Sequence, residues 1–246
     1  MKGLILAAGR GSRMGYLTDA LPKCMQKFKG ISLVDRHLDA FKKSKIQEVA
    51  IVCGYLKDKI KSYDDIIKYE NKKWAKTNMV RSLMRANSWL KEADNIVTYG
   101  DIFFEDQAIT ALMSTKSEIA ITYDVNFKKM WKLRFKNPFD DLETFIFNKK
   151  NILVNIGQKT STYKEVLGQY MGLLKISANG WDIIKKNLKE LSSKEIDVLD
   201  MTSLLNILIN KKIEIEVVPY SGQWGEIDRP SDIEVYEKLY KLPLSI

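Results

Sequence analysis

Short β-branched runs alternate along this chain with longer stretches whose apolar residues recur at helical spacing, and few architectures satisfy that alternation. Gly3 to Ala7, Glu48 to Cys53, Ile96 to Tyr99 and Ile119 to Tyr123 read as strands. Between the first two, Leu33, His37, Leu38 and Phe41 share one helical face. A strand too apolar to have a wet face needs helices on both sides, so the pattern predicts an α/β fold with a mostly parallel sheet flanked by helices. Beyond Asp124 the pattern changes. "TFIFNKKNILVNIG" reads as a hairpin with Asn148 to Asn151 at its tip, "GQYMGLLKIS" as a strand, and "GWDIIKKNLKEL" and "MTSLLNILIN" as helices. "IEIEVVPY" is a late strand and "RPSDIEVYEKLY" a closing helix with Pro230 in its first turn. With no repeat and no linker-like tract, the expectation is one continuous domain over 1–246 that carries an inserted β-rich lobe in its second half.

Composition narrows the chemistry. The 246 residues include 45% hydrophobic and 29% charged side chains, as in an ordinary globular protein long enough to bury a core. No apolar stretch approaches the ~20 residues of a membrane span. The apolar run after Met1 and Lys2 is too short for a secretory leader, so a cytoplasmic protein with no membrane association is expected. Cys24 and Cys53 have no metal-ligand spacing, and His37 is the sole histidine. Most zinc sites and most His-based nucleophilic mechanisms are thereby excluded, which leaves carboxylates and cations. The excess of 40 Lys and Arg over 31 Asp and Glu gives +9. Many lysines fall in helical patterns where a solvated face explains them, and no basic run interleaved with aromatics signals nucleic acid.

The first strand ends in "LAAGRGSRMG", Leu6 to Gly15. Glycines here let backbone N–H groups approach an anion. Counting from Gly9 and Gly11 puts Met14 where a dinucleotide turn needs its third glycine, and no Gly-Lys-Ser/Thr follows as a P-loop would require. What remains, Leu6 to Met14 with Thr18 and then Pro22-Lys23, resembles the signature of the sugar-nucleotide pyrophosphorylase superfamily, nucleotidyltransferases that couple an NTP to a phosphorylated small molecule. The resemblance continues through "VAIVCGY", "TNMVRSL", "TYGDIFFE" and "WGEIDRPSD", and is strongest to the cytidylyltransferase branch acting on choline phosphate and aminoethylphosphonate. Ser32 departs from it where proline is usual, and Cys24 at an often apolar or prolyl place.

The resemblance implies a Rossmann-like fold whose nucleotide-binding half covers about 1–124 and whose acceptor-binding lobe and closing strand and helix cover about 125–246. It implies nucleotide contacts from Leu6, Ala7, Ala8, Gly9, Gly11, Asn78 and Ser82, catalytic charge from Arg13 and Lys23, and Mg²⁺ held by Asp101 and Asp228. The implied reaction is attack by an acceptor phosphate or phosphonate on the α-phosphorus of CTP, with loss of pyrophosphate. Such a nucleophile is already anionic and needs no general base. Taken singly, Asp101 could be a turn residue and Asp228 a helix-capping one. For the acceptor, Trp131, Tyr170 and Trp224 could face a cationic head group, though aromatics are more often core. Asp124, Asp197 and Asp200 could add negative charge. Arg134 with Asp140, Asp141 and Glu143 would suit a zwitterion, which brings an amino-acid phosphate such as L-glutamine phosphate beside choline phosphate and aminoethylphosphonate. Glu226 is placed with substrate, with metal contact or a purely organising role left open. Within the same class a sugar-1-phosphate nucleotidyltransferase is the alternative, and a non-catalytic nucleotide sensor lies outside it. The expected partners are CTP and a small phosphorylated acceptor, with a homodimer as one option for assembly.

Overall fold

The computed structural model describes residues 1–60 and 66–240. In its first half, β1 (Lys2–Ala7) leads through a tiny hairpin, β2 (Lys27–Phe28) and β3 (Ile31–Ser32), into α1 (Leu33–Lys43). β4 (Val49–Cys53), β5 (Ile67–Glu70), α2 (Met79–Arg85), α3 (Asn87–Glu92) and β6 (Asn95–Tyr99) follow. Then come β7 (Ile102–Phe104), α4 (Asp106–Met113) and β8 (Ile119–Asp124). The second half comprises α5 (Phe127–Arg134), the hairpin β9 (Glu143–Phe147) and β10 (Leu153–Lys159), and β11 (Gln169–Ile176). It closes with α6 (Ala178–Leu188), α7 (Ser193–Val198), α8 (Met201–Asn210), β12 (Glu216–Tyr220), β13 (Trp224–Glu226) and α9 (Pro230–Leu239).

Seven strands form the central sheet in the order β12-β8-β11-β6-β1-β4-β5. All pairs are parallel except those of β11, which runs antiparallel to both β6 and β8. β1 lies buried between two helical layers, and its side chains alternate between two apolar clusters, Ile5 and Ala7 on one face and Leu4, Leu6 and Ala8 on the other. Burial of each large aliphatic side chain contributes about 1.5–3 kcal/mol. The first face packs against α1, α4 and α9, the second against α2, α6 and α8.

The sequence expectations for β1, β4, β6, β8 and β11 hold to within one residue at each end, whereas the late strand starts at Glu216, three residues after the expected Ile213. The hairpin is present, with Asn148 Oδ1 accepting from the N–H of Lys150 at 2.8 Å. The second half is less separate than a lobe implies: β11 and β12 belong to the main sheet, while the hairpin and β13, which pairs with β7, stand outside it. Ser32, the departure from proline, has a local reason. Its Oγ accepts from the N–H of Asp35 at 3.1 Å and so caps α1, an interaction worth about 1 kcal/mol.

Candidate active site

From β1 the chain passes to β4 and β5 on one side, then returns to place β6 on the other. Where strand order reverses in this way, the connections leave the carboxyl ends in opposite directions and open a crevice between them. That crevice, about 300 Å³, is lined by Leu6, Ala7, Ala8, Gly9, Gly11, Asn78 and Ser82, all seven residues expected at the nucleotide, together with Arg13, Lys23 and Asp101. Two glycines set its shape. Gly11 has φ +68°, and a Cβ there would lie 2.6 Å from Cδ of Lys23, so a side chain at this position would displace the lysine stem. Gly100 brings β6 against β1, its N–H donating to the carbonyl of Leu6 at 2.9 Å, where a Cβ would meet that of Ala7 at 2.8 Å.

Asn78 caps α2, and its amide donates to the carbonyl of Val198 at 3.2 Å. Ser82 Oγ accepts from Nδ2 of the fully buried Asn71, which also donates to Thr77 Oγ1 at 2.9 Å. Asn71 and the wall residue Trp74 were not among the sequence candidates. A lone Asn in a Lys-rich stretch carries no periodic signal, because its role comes from long-range packing.

At the floor of the crevice, Asp101, Glu226 and Asp228 bring carboxylate oxygens within 4.8 Å of one another. β13 pairs with β7, and the N–H of Ile227 donates to the carbonyl of Asp101 at 2.9 Å, so one backbone ribbon ties the early aspartate to the late Glu-x-Asp. Lys23 Nζ lies 2.8 Å from Asp101 Oδ2 and also bonds Asp228 Oδ1, while Arg13 Nη2 lies 2.7 Å from Asp228 Oδ2. Burial would favour a neutral Lys23, but Asp101, Asp228 and Glu226 more than reverse that and hold the ammonium above its ordinary range. Burial likewise opposes charge on Asp228, yet Lys23, Arg13 and Arg134 keep it below the usual carboxylate range. Glu226 goes the other way: burial, then the charges of Asp228 and Asp101, push it up to about 8.

A hard divalent cation fits this set. The donors are oxygens from three acidic side chains, and Asp101 Oδ1 is buried without a hydrogen-bond partner. Cys24 is a poor nucleophile, its thiol pushed up to about 12 by burial. His37 is buried with Nε2 bonded to the carbonyl of Ile102 at 2.7 Å, outside the crevice.

The acceptor candidates separate into groups. Trp131 is buried, stacked on Trp224 with ring centroids 6.1 Å apart, and donates to Asp141 Oδ2 at 3.1 Å; neither indole offers an open face. Asp197 is paired with Arg81 at 2.6 Å and joins α7 to α2. Asp200 caps α8, accepting from the N–H of Ser203 at 2.7 Å. Asp124 is buried and accepts from the N–H of Asn126. Arg134 lies beneath the carboxylate cluster, paired with Asp232. Tyr170 is half-buried and meets Tyr99 edge-on. β11 starts where the parallel strands end, which puts Tyr170 at the catalytic end of the sheet. Burial, and then the charges of Asp141 and Asp200, raise Glu143 above the usual carboxylate range.

Residues 3–139 match the model of the MobA-like NTP transferase domain. The chain is 34% identical to a CTP:phosphoglutamine cytidylyltransferase of Campylobacter jejuni, over 96% of this chain and 98% of that protein. It is 25% identical to a choline-phosphate cytidylyltransferase of Streptococcus pneumoniae, over 80% and 87% of the two chains. Among solved structures, the inositol-1-phosphate CTP transferase from T. maritima superposes with a TM-score of 0.77 at 19% identity, covering 100% of this chain and 98% of the other. The glycine turn, the lysine among three carboxylates and these full-length likenesses agree: the chain belongs to the MobA-like NTP transferase family.

Proposed function

We propose that this chain is a divalent-metal-dependent cytidylyltransferase that joins CTP to a small phosphorylated amine or amino acid, with L-glutamine phosphate the foremost acceptor, and releases pyrophosphate. The observation that carries the reading is the charge arrangement at the crevice floor, where Lys23 and Arg13 converge on Asp101 and Asp228. Full-length similarity to a cytidylyltransferase named for phosphoglutamine supports the choice of base and acceptor.

The chemistry requires two anions to meet. Fixed positive charge aimed at the reacting phosphate lowers that barrier because it is already oriented when charge develops. Lys23, held charged within reach of the crevice, supplies it at the α-phosphate. Arg13, its side chain 57% exposed and paired with Asp228 at 2.7 Å, would exchange that carboxylate for the departing phosphates. Asp101, Asp228 and Glu226 would hold Mg²⁺, which supplies electrophilic neutralisation of phosphate charge. Glu143 and Asp141, whose charges act on one another, would receive the acceptor's ammonium group. The acceptor phosphate attacks as an anion, so no proton has to be removed.

The test is pyrophosphate release with Mg²⁺ and each of four NTPs against choline phosphate, aminoethylphosphonate, L-glutamine phosphate and hexose 1-phosphates. Turnover is expected with CTP and a phosphorylated amine or amino acid, and Asp101→Asn should lower kcat by about a hundredfold or more at unchanged fold. Turnover confined to a hexose 1-phosphate with UTP or TTP would transfer the assignment to a sugar nucleotidyltransferase, and none with any pair would leave a non-catalytic sensor.

A further inference from the structure

Arg134 ends α5, in the segment before the hairpin, yet its guanidinium lies under the late Glu-x-Asp turn. The side chain is 1% exposed and that of its partner Asp232 is 4% exposed. Arg134 Nε donates to Asp232 Oδ1 at 3.1 Å and Nη2 to Oδ2 at 3.4 Å, a two-point fork. Nη2 also lies 3.9 Å from Glu226 Oε2. Asp232 Oδ2 in turn accepts from the backbone N–H groups of Asp228 and Arg229, both at 2.8 Å. The guanidinium is enclosed by the rings of Trp131, Phe135 and Tyr236 at 5.0–5.9 Å, and the Tyr236 hydroxyl accepts from the N–H of Glu226 at 3.1 Å. The hydrogen bonds of this side chain all go to Asp232, and through it to the backbone of Asp228 and Arg229, while Nη1 is buried with no hydrogen-bond partner among the described residues.

We propose that Arg134 is a positioning residue for the metal site, fixing the backbone of Asp228 through Asp232 and orienting Glu226 directly, rather than a contact to the acceptor. A buried arginine whose fork is filled by one carboxylate has few rotamers left, so the turn it braces loses the freedom a short exposed loop would have. The inference rests on the metal-dependent reading above.

Mn²⁺ serves as the probe, its affinity read by electron paramagnetic resonance with a non-hydrolysable α,β-methylene analogue of CTP at saturation. Arg134→Met and Asp232→Asn should each weaken Mn²⁺ binding by about tenfold or more. Arg134→Lys, which keeps the charge but not the fork, should stay weak by about fivefold. In all three the acceptor KM should remain within about twofold of the parent. Leu208→Ala, a core truncation in α8 on the opposite face of the sheet, supplies the control for general destabilisation. If Arg134→Met does not fold, Arg134→Lys and Asp232→Asn carry the comparison. Mn²⁺ affinities within twofold of the parent, equal weakening in Leu208→Ala, or a raised acceptor KM with Mn²⁺ binding intact would overturn the assignment of Arg134. Absence of Mn²⁺ binding in the parent protein would instead overturn the metal-dependent reading.

Discussion

Replacing Lys23 by methionine keeps the stem and removes the ammonium from between Asp101 and Asp228. Breaking a buried ion pair from one side destabilises by about 3–5 kcal/mol, because the remaining charge loses its partner. Here the loss is smaller. Arg13 still holds Asp228, the Asp101 side chain is 22% exposed, and Glu226, its pKa already pushed up to about 8, can carry a proton. A loss of about 2 kcal/mol remains, which for a domain of this size lowers Tm by roughly 4–8 °C. Catalysis should suffer separately, with kcat down about a hundredfold from the missing charge at the transition state and a smaller change in the KM for CTP. Mg²⁺ distinguishes the two roles. Without nucleotide, Lys23 in the parent already offsets part of the carboxylates' charge, so Mg²⁺ alone should raise Tm less there than in Lys23→Met, where it should restore most of the loss. Thermal melts with and without Mg²⁺, beside steady-state rates, make the comparison. An unchanged Tm in the variant, or equal Mg²⁺ shifts in both proteins, would refute the view that Lys23 neutralises the cluster.

Two further outcomes can be measured with little material. Gly11→Ala forces a left-handed backbone onto alanine and drives its Cβ into the Lys23 stem; a loss of about 1–2 kcal/mol in thermal melts, with kcat down at least about tenfold, is expected. His37, pushed down to about 4 by burial, stays neutral in the folded protein while the unfolded chain takes up a proton below about pH 6.5. Stability from this group is therefore complete above that pH and is lost as pH falls toward 4. Between pH 7 and 5 the parent should lose about 2 kcal/mol more than His37→Asn in denaturant titrations, and its imidazole NMR signals should not move until near pH 4.

Sheet strands such as Gly3–Ala7 and Ile119–Tyr123 were legible because burial on both faces leaves an unbroken apolar run. The glycine turn with Arg13 and Lys23 was legible because a phosphate-binding turn constrains spacing within a short segment, whereas Asp101 and Asp228 came only from the resemblance of their distant motifs. The direction of β11 was not, since antiparallel insertion between β6 and β8 depends on pairings far apart in sequence. Nor was the fate of Trp131, Arg134, Asp197 and Asp200. Residue type says that such side chains can bind a zwitterion, but only packing decides whether an indole face is covered by Trp224 or a carboxylate is taken by Arg81. Asn71, whose hydrogen bonds organise the crevice wall, belongs to the same group.

The ribbon between β7 and β13 bears on how the protein is made. A chain emerging from the ribosome presents the glycine turn, Lys23 and Asp101 first, while the strand that pairs with β7 and leads into Asp228 follows more than a hundred residues later. Until β11 is synthesised, β6 and β8 cannot be joined, and each leaves an open edge of unpaired backbone groups available to a neighbouring nascent chain. The carboxylate cluster is thus assembled only after β13 has followed β11, and the open edges of β6 and β8 must be protected until then.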